Sequence, residues 1–136
     1  MPKHSDVYIN LPVKSLPKAR AFFESMGYSF NPEMSNDDGA CLILGDHIFA
    51  MLLTEPFFAG FTTKAINDAS KATEVINCVS CDSREEVDAL VNKAIAAGGT
   101  SPKPAIDHGF MYQHGFQDLD GHVWELVAMA PTPPTA

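Results

Sequence analysis

The sequence predicts an α+β protein of one compact domain, built as two tandem βαβββ modules over about residues 5–54 and 74–130. Three observations predict it. Alternating apolar residues stand ahead of an amphipathic helix in each half. The two strand-to-helix junctions repeat at one offset, and short apolar stretches bounded by turn residues follow each helix.

The first strand is read over Val7-Tyr8-Ile9-Asn10-Leu11-Pro12-Val13, where apolar residues at 7, 9, 11 and 13 have the period of a half-buried strand. Ser15 is a suitable N-cap for the next helix, Pro17 is tolerated in its first turn, and Ala19, Phe22, Phe23 and Met26 make its apolar stripe. Gly27 supplies the stop.

In the second half a strand is expected over Val75 to Cys81, then a helix opened by the capping-box spacing of Ser83-Arg84-Glu85-Glu86. Val87, Leu90, Val91, Ala94 and Ile95 fall on one helical face, and Gly98-Gly99 ends it. Ser15 and Ser83 are 68 residues apart, as are Val13 and Cys81, which points to internal duplication.

Further strands are expected over Ala40 to Leu44, Ile48 to Leu53, Gly109 to Phe116 and His122 to Ala128. Turn residues separate them: Asn36-Asp37-Asp38-Gly39, Gly45-Asp46 and Asp118-Leu119-Asp120-Gly121. The joining segment 55–73 carries Phe57, Phe58, Phe61, Ala65 and Ile66, too apolar for a free linker. A short helix is expected there, capped by Thr62 or Thr63, lying over a sheet or covering a subunit contact. Residues 131–136 are expected to be an extended, mobile tail.

At 136 residues, with 46% hydrophobic and 19% charged residues, the chain can bury a core without disulfide or metal staples. A net charge of -8 argues against nucleic acid, because phosphate recognition needs clustered cations. No run approaches a membrane span and the first residues lack a signal peptide's apolar stretch, so a cytoplasmic protein is expected.

The odd cysteine count, Cys41, Cys78 and Cys81, fits a reducing compartment. Cys78 and Cys81 have C-x-x-C spacing, but residues three apart on a strand point to opposite faces. Both are read as small packing residues.

Leu11-Pro12-Val13 before the first helix, Ala21-Phe22-Phe23 ahead of Met26-Gly27-Tyr28, and the ending Phe116-Gln117-Asp118-Leu119-Asp120-Gly121-His122-Val123-Trp124-Glu125-Leu126 together resemble the vicinal-oxygen-chelate superfamily. That is the group of glyoxalases, bleomycin-resistance proteins and extradiol dioxygenases. The ending is similar to the family's F-x-D-P-D-G-x-x-x-E-L pattern, with Leu119 in place of proline. Within the group the chain looks most like the small bacterial proteins called predicted lactoylglutathione lyases. The resemblance implies a curled, cup-like mixed sheet with helices outside, and in metal-dependent members a divalent ion held from the first and last strands of the modules.

On that resemblance the metal-binding positions fall near Tyr8, Met51 and Ile76 and on Glu125, and only Glu125 is retained. One carboxylate cannot supply the three or more convergent ligands a divalent ion needs, so no cofactor is expected; a metal held by non-standard ligands through Glu125 is the alternative.

Alternation sets Glu125 with Val123 and Val127 on the face opposite Trp124 and Leu126, lining the cup. There it is either a proton-transferring group or a structural carboxylate held by a donor such as Tyr8 or Asn10. Tyr8 and Asn10 share the face opposite Ile9 and Leu11, and Tyr8 is either a donor to Glu125 or substrate, or a packed tyrosine. His114 is taken as the best-placed histidine for a cleft, a base or stray ligand partnering Glu125, with Tyr112 on its face and His108 in a loop over the cup's open end. His47 and His122 are expected near the surface, and Asp118 to Gly121 as a β-turn with Asp side-chain bonds instead of a calcium loop.

Catalytic candidates are therefore Glu125, His114 and Tyr8, with Asn10, Met51, Ile76, Tyr112 and His108 as ligand-contacting candidates. Three functions compete: a homodimer binding a small molecule without metal, a glyoxalase-type isomerase or lyase using Glu125 for proton transfer, and a purely structural dimer module.

Overall fold

The computed structural model describes residues 1–130. The expected tail, 131–136, lies outside the described residues. The chain divides into two compact units, Met1–Asn67 and Asp68–Ala136.

The first unit runs β1 (Val7–Val13), α1 (Leu16–Ser25), β2 (Ser29–Asn31), a 3-10 turn, β3 (Gly39–Gly45), β4 (Ile48–Thr54) and α2 (Glu55–Ala59). Its sheet has the order β1-β4-β3-β2, with β1 parallel to β4 and the other pairs antiparallel. Ser15 caps α1 as expected, its hydroxyl accepting from Lys18 N at 3.3 Å, and Gly27 ends it at φ 102°. Leu16, Ala19, Phe22 and Phe23 of the helix are buried, as are Leu11, Val13, Ala40, Leu42, Ala50 and Leu52 of the strands. Each of those large side chains stabilises the fold by about 1.5–3 kcal/mol relative to exposure.

The second unit repeats the plan: β5 (Ile76–Ser80), α3 (Arg84–Ala96), β6 (Ile106–Asp107), β7 (Met111–Gln117) and β8 (Val123–Met129), in the order β5-β8-β7-β6. Again only the first-to-last pair, β5 with β8, is parallel. Ser83 caps α3 by accepting from Glu86 N at 3.1 Å, while Glu86 reaches back to Asp82 N at 3.3 Å, one residue earlier than a strict capping box. Val87, Val91 and Ala94 of the helix are buried, as are Phe116, Trp124, Leu126 and Ala128 of the sheet. Both modules are therefore βαβββ with mixed, open sheets and one long helix each.

The joining segment differs from expectation. Its helix starts at Glu55, where Pro56 suits a first turn, and stops at Gly60, so it precedes Thr62 and Thr63. Thr62 instead closes a side-chain turn, accepting from Lys64 N at 3.1 Å. No helix among the described residues is long and apolar enough to cross a membrane.

The sequence signature from Phe116 to Trp124 is a structural clamp. Asp118 is buried, its Oδ1 accepting from the backbone N–H groups of Asp120 and His122 at 3.0 Å each and its Oδ2 from Trp124 Nε1 at 3.0 Å. Burial pushes its carboxyl pKa up, against the opposing pull of His122 and of these donors. The turn closes with Asp118 N donating to His122 O at 3.1 Å and Gly121 at φ 87°. A Cβ on Gly121 would stand 2.7 Å from the backbone of Ala69 and Ser70, which cover this turn. His122 is consequently buried, 8% exposed, which corrects the expectation of a surface histidine. His47, in the shorter turn of the first module, is exposed as expected and bonds Asp6 at 2.8 Å.

Candidate functional site

Strand parity and pairing divide the candidates between sheet faces. In the first unit Tyr8 pairs with Phe49 and Asn10 with Met51, so Tyr8, Asn10 and Met51 share the face turned away from α1. Tyr8 is 41% exposed and stacks on Phe49, ring centroids 5.0 Å apart. Asn10 Nδ2 donates to Tyr8 O at 3.3 Å.

In the second unit β8 pairs Val123 with Ile76 and Glu125 with Cys78, and on its other side Glu125 with Gly115. The face turned away from α3 therefore carries Ile76, Cys78, Ser80, Gly115, Gln113, Val123, Glu125 and Val127. Glu125 is the only charged side chain among them. It is half-buried, and no hydrogen bond or ion pair engages it among the described residues. The module equivalence is exact in register: Met51 stands opposite Asn10 as Glu125 stands opposite Cys78, and 10 and 78 differ by the same offset of 68.

Gly115 makes room for the carboxylate. A Cβ there would lie 2.7 Å from Glu125 Oε1, 2.8 Å from its Cδ and 2.7 Å from the Trp124 carbonyl oxygen. Cys78 flanks the other side. Its thiol pKa is raised by burial first and then by the Glu125 charge, which holds the proton on sulfur. Cys78 is exposed, which corrects its reading as a packing residue; Cys81 is half-buried, and both are free thiols.

His114 does not partner Glu125. Its strand partner is Leu126, one residue along from Glu125, and a one-residue step reverses the face. It therefore looks toward α3, with Tyr112, whose hydroxyl donates to Asp88 at 2.6 Å. The Ser101 hydroxyl donates to Gly115 O at 2.6 Å, so the 3.2 Å contact from His114 Nε2 to Ser101 Oγ has the imidazole as donor. That leaves Nδ1 buried with no hydrogen-bond partner among the described residues, since Asp88 Oδ1 is 3.9 Å away.

Arg84 completes this side, bidentate to Asp107 at 2.6 and 3.1 Å and 5.2 Å from the Tyr112 ring centroid. The Arg84 hydrogen bonds hold Asp107 below its ordinary carboxylate range. Tyr112 thus ties β7 to α3 through Asp88 while His114 bonds Ser101, and the expectation that the two line a cleft with Glu125 is corrected. His108 bonds Gln113 Oε1 through Nε2 at 3.0 Å, and Gln113 lies on Glu125's face.

Solved structures place this arrangement among known folds. One match is a hypothetical protein from S. aureus, 26% identical over 93% of this chain and 95% of that one, with a TM-score of 0.78. A glyoxalase/bleomycin resistance protein/dioxygenase family enzyme from Burkholderia phytofirmans PsJN is 19% identical over 90% and 97% of the two chains, TM-score 0.74. The chain has the vicinal-oxygen-chelate fold. The same fold is shared by the fosfomycin resistance protein FosX from Listeria monocytogenes, 20% identical over 98% and 97%, TM-score 0.67. No family model and no curated protein matches the sequence.

The divalent ion that the vicinal-oxygen-chelate fold implies does not fit these residues. Among the described residues no group of three or more His, Cys, Asp or Glu is placed to hold a metal. Glu125 has Val123 and Val127 on its own strand and Cys78 and Gly115 as cross-strand neighbours, so at most one thiol joins it, short of the three or more ligands a divalent ion takes. Gly115 and Gln113 are not among the residues singled out from the sequence, and Cys78 is expected there only as a packing residue. Gly115 left a trace there, because a glycine inside a strand marks close approach of another group.

Proposed function

We propose that the chain binds a small molecule on the face of the second sheet that carries Glu125, through that carboxylate and without a resident metal. One observation carries the reading: Glu125 is half-buried, unpartnered among the described residues, and seated in room left by Gly115. A partly desolvated carboxylate without a donor is costly, and a ligand that supplies an N–H or O–H removes the cost. The surrounding Val123, Val127 and Ile76 offer apolar contact, and among the described residues of β5, β7 and β8 no cation shares their face to receive an anionic ligand. An uncharged or cationic donor is the chemistry that fits.

The test is a thermal-shift screen of small amines, guanidines and neutral aromatic alcohols, followed by calorimetry on wild type and Glu125→Gln. Losing a hydrogen bond to a charged group costs about 1.5–3 kcal/mol, so the variant should bind roughly 10- to 100-fold more weakly. Equal affinity in both proteins would refute the role of Glu125. Elemental analysis accompanies it: stoichiometric divalent metal, lost in Glu125→Gln, would overturn the metal-free part.

The same unpartnered carboxylate supports a second reading, a metal-free isomerase or lyase in which Glu125 takes a proton from bound substrate. Solvent deuterium entering a recovered ligand, and failing to enter with Glu125→Gln, would identify it. We further propose a homodimer, supported by Phe61 and Phe57, 72% and 40% exposed and in edge contact at 5.2 Å. Light scattering should give twice the chain mass, and the chain mass for Phe61→Asp; a monomeric wild type refutes it.

A further inference from the structure

The support beneath Glu125 comes from the opposite edge of its neighbouring strand. Gln117 gives both its backbone groups to Thr100, N–H to carbonyl at 2.7 and 3.1 Å, so alternate residues of β7 turn their polar backbone groups to that outer edge. Gly115 is one of those residues. β6 pairs only with Tyr112 and Gln113, and the bridge from Thr100 reaches only Gln117, so among the described residues no strand covers Gly115 between them. Ser101 takes the vacant place, donating its hydroxyl to Gly115 O at 2.6 Å while accepting from His114 Nε2 at 3.2 Å.

The same alternation makes Gly115 and Glu125 a non-hydrogen-bonded pair, the closer kind in an antiparallel ladder. The carboxylate thus lies against the backbone of a residue with no side chain to anchor it and the widest conformational freedom of any. We propose that Ser101, itself held by His114, is a positioning residue for Glu125: it fixes the backbone at Gly115 and so sets where the carboxylate rests. The inference rests on Glu125 being the ligand-contacting group, but its consequence is readable without ligand. His114 thereby has a task at the site from the far side of the sheet.

The test uses the full chain labelled with ¹³C at glutamate side-chain carboxyls, ligand-free, with the Glu125 resonance identified by its loss in Glu125→Gln. Ser101→Ala is expected to displace or broaden that resonance and leave the other glutamates in place. Ser101→Thr, which keeps the hydroxyl, is expected to restore it. An unmoved resonance in Ser101→Ala, or no restoration by Ser101→Thr, overturns the proposal. Should Ser101→Ala not fold, Ser101→Cys, of similar size but a weak donor, is read in its place: a displaced or broadened Glu125 resonance supports the proposal and an unmoved one overturns it. Loss of ligand discrimination in the binding experiment would leave these resonances unchanged, so the two readings fail separately.

Discussion

Replacing Trp124, itself 1% exposed, by Phe removes one donor from the carboxylate of Asp118, a residue 8% exposed. Asp118 Oδ1 keeps its two backbone donors, but Oδ2 loses the Nε1–H bond at 3.0 Å. A hydrogen bond to a charged group contributes about 1.5–3 kcal/mol, and the smaller ring adds a cavity term of about 1 kcal/mol. The expected loss is therefore about 2.5–4 kcal/mol, a large part of the 5–15 kcal/mol that holds a typical domain folded. Urea unfolding followed by far-ultraviolet circular dichroism measures it. The decisive comparison is a double-mutant cycle with Asp118→Asn, in which the coupling between the two positions should be about 1.5 kcal/mol or more. A coupling under about 0.5 kcal/mol would refute the claim that the signature sequence acts as a clamp.

Asp118 also sets a pH dependence. Its folded-state pKa is raised, so this group favours the folded state below its ordinary pKa and that contribution is lost as pH rises through the folded value. Asp118→Asn should flatten that part of the stability profile, and an unchanged slope would count against the burial argument. Gly115→Ala forces a Cβ to within 2.7 Å of a backbone oxygen and of Glu125 Oε1, so a loss of about 1–3 kcal/mol is expected, with displacement of the Glu125 carboxyl resonance. Glu125→Ala in the same protein should recover only part of the loss, since the Trp124 carbonyl remains in the way. Cys81 is pushed up to about 11 by burial first and then by Glu86 and Asp82, so about one thiol in a thousand is ionised there at pH 8. Disulfide-exchange labelling of the native chain should be slow, with Cys78 modified before Cys41 and Cys81; fast labelling of Cys81 would contradict its environment.

Most of the architecture is legible because its determinants are local. Ser15 and Ser83 cap the helices they were expected to cap, and β1 spans Val7 to Val13 as the alternation required. The edge strands β2 and β6 are only three and two residues long, too short for any period to be seen. Parity along β8 placed Glu125 correctly on the face away from Trp124, since one strand carries that information by itself. It failed for His114, because the face of β7 relative to β8 depends on which residue stands opposite Glu125, and that is a long-range register. Glycine at 115, not histidine at 114, occupies the position beside the carboxylate. Ser101 was invisible for a related reason: its value comes from an uncovered carbonyl on a strand fourteen residues later.

The repeated register of the two modules makes the chain its own control experiment. The first module builds the same ladder around Asn10 and Met51 with no acidic group at the matching place, so the topology does not demand one. Met51 and Glu125 fill equivalent places in the two ladders, so an acidic side chain is a choice that the strand register leaves open. Duplication thus names Glu125→Met as a substitution whose matching place in the other module already carries that side chain.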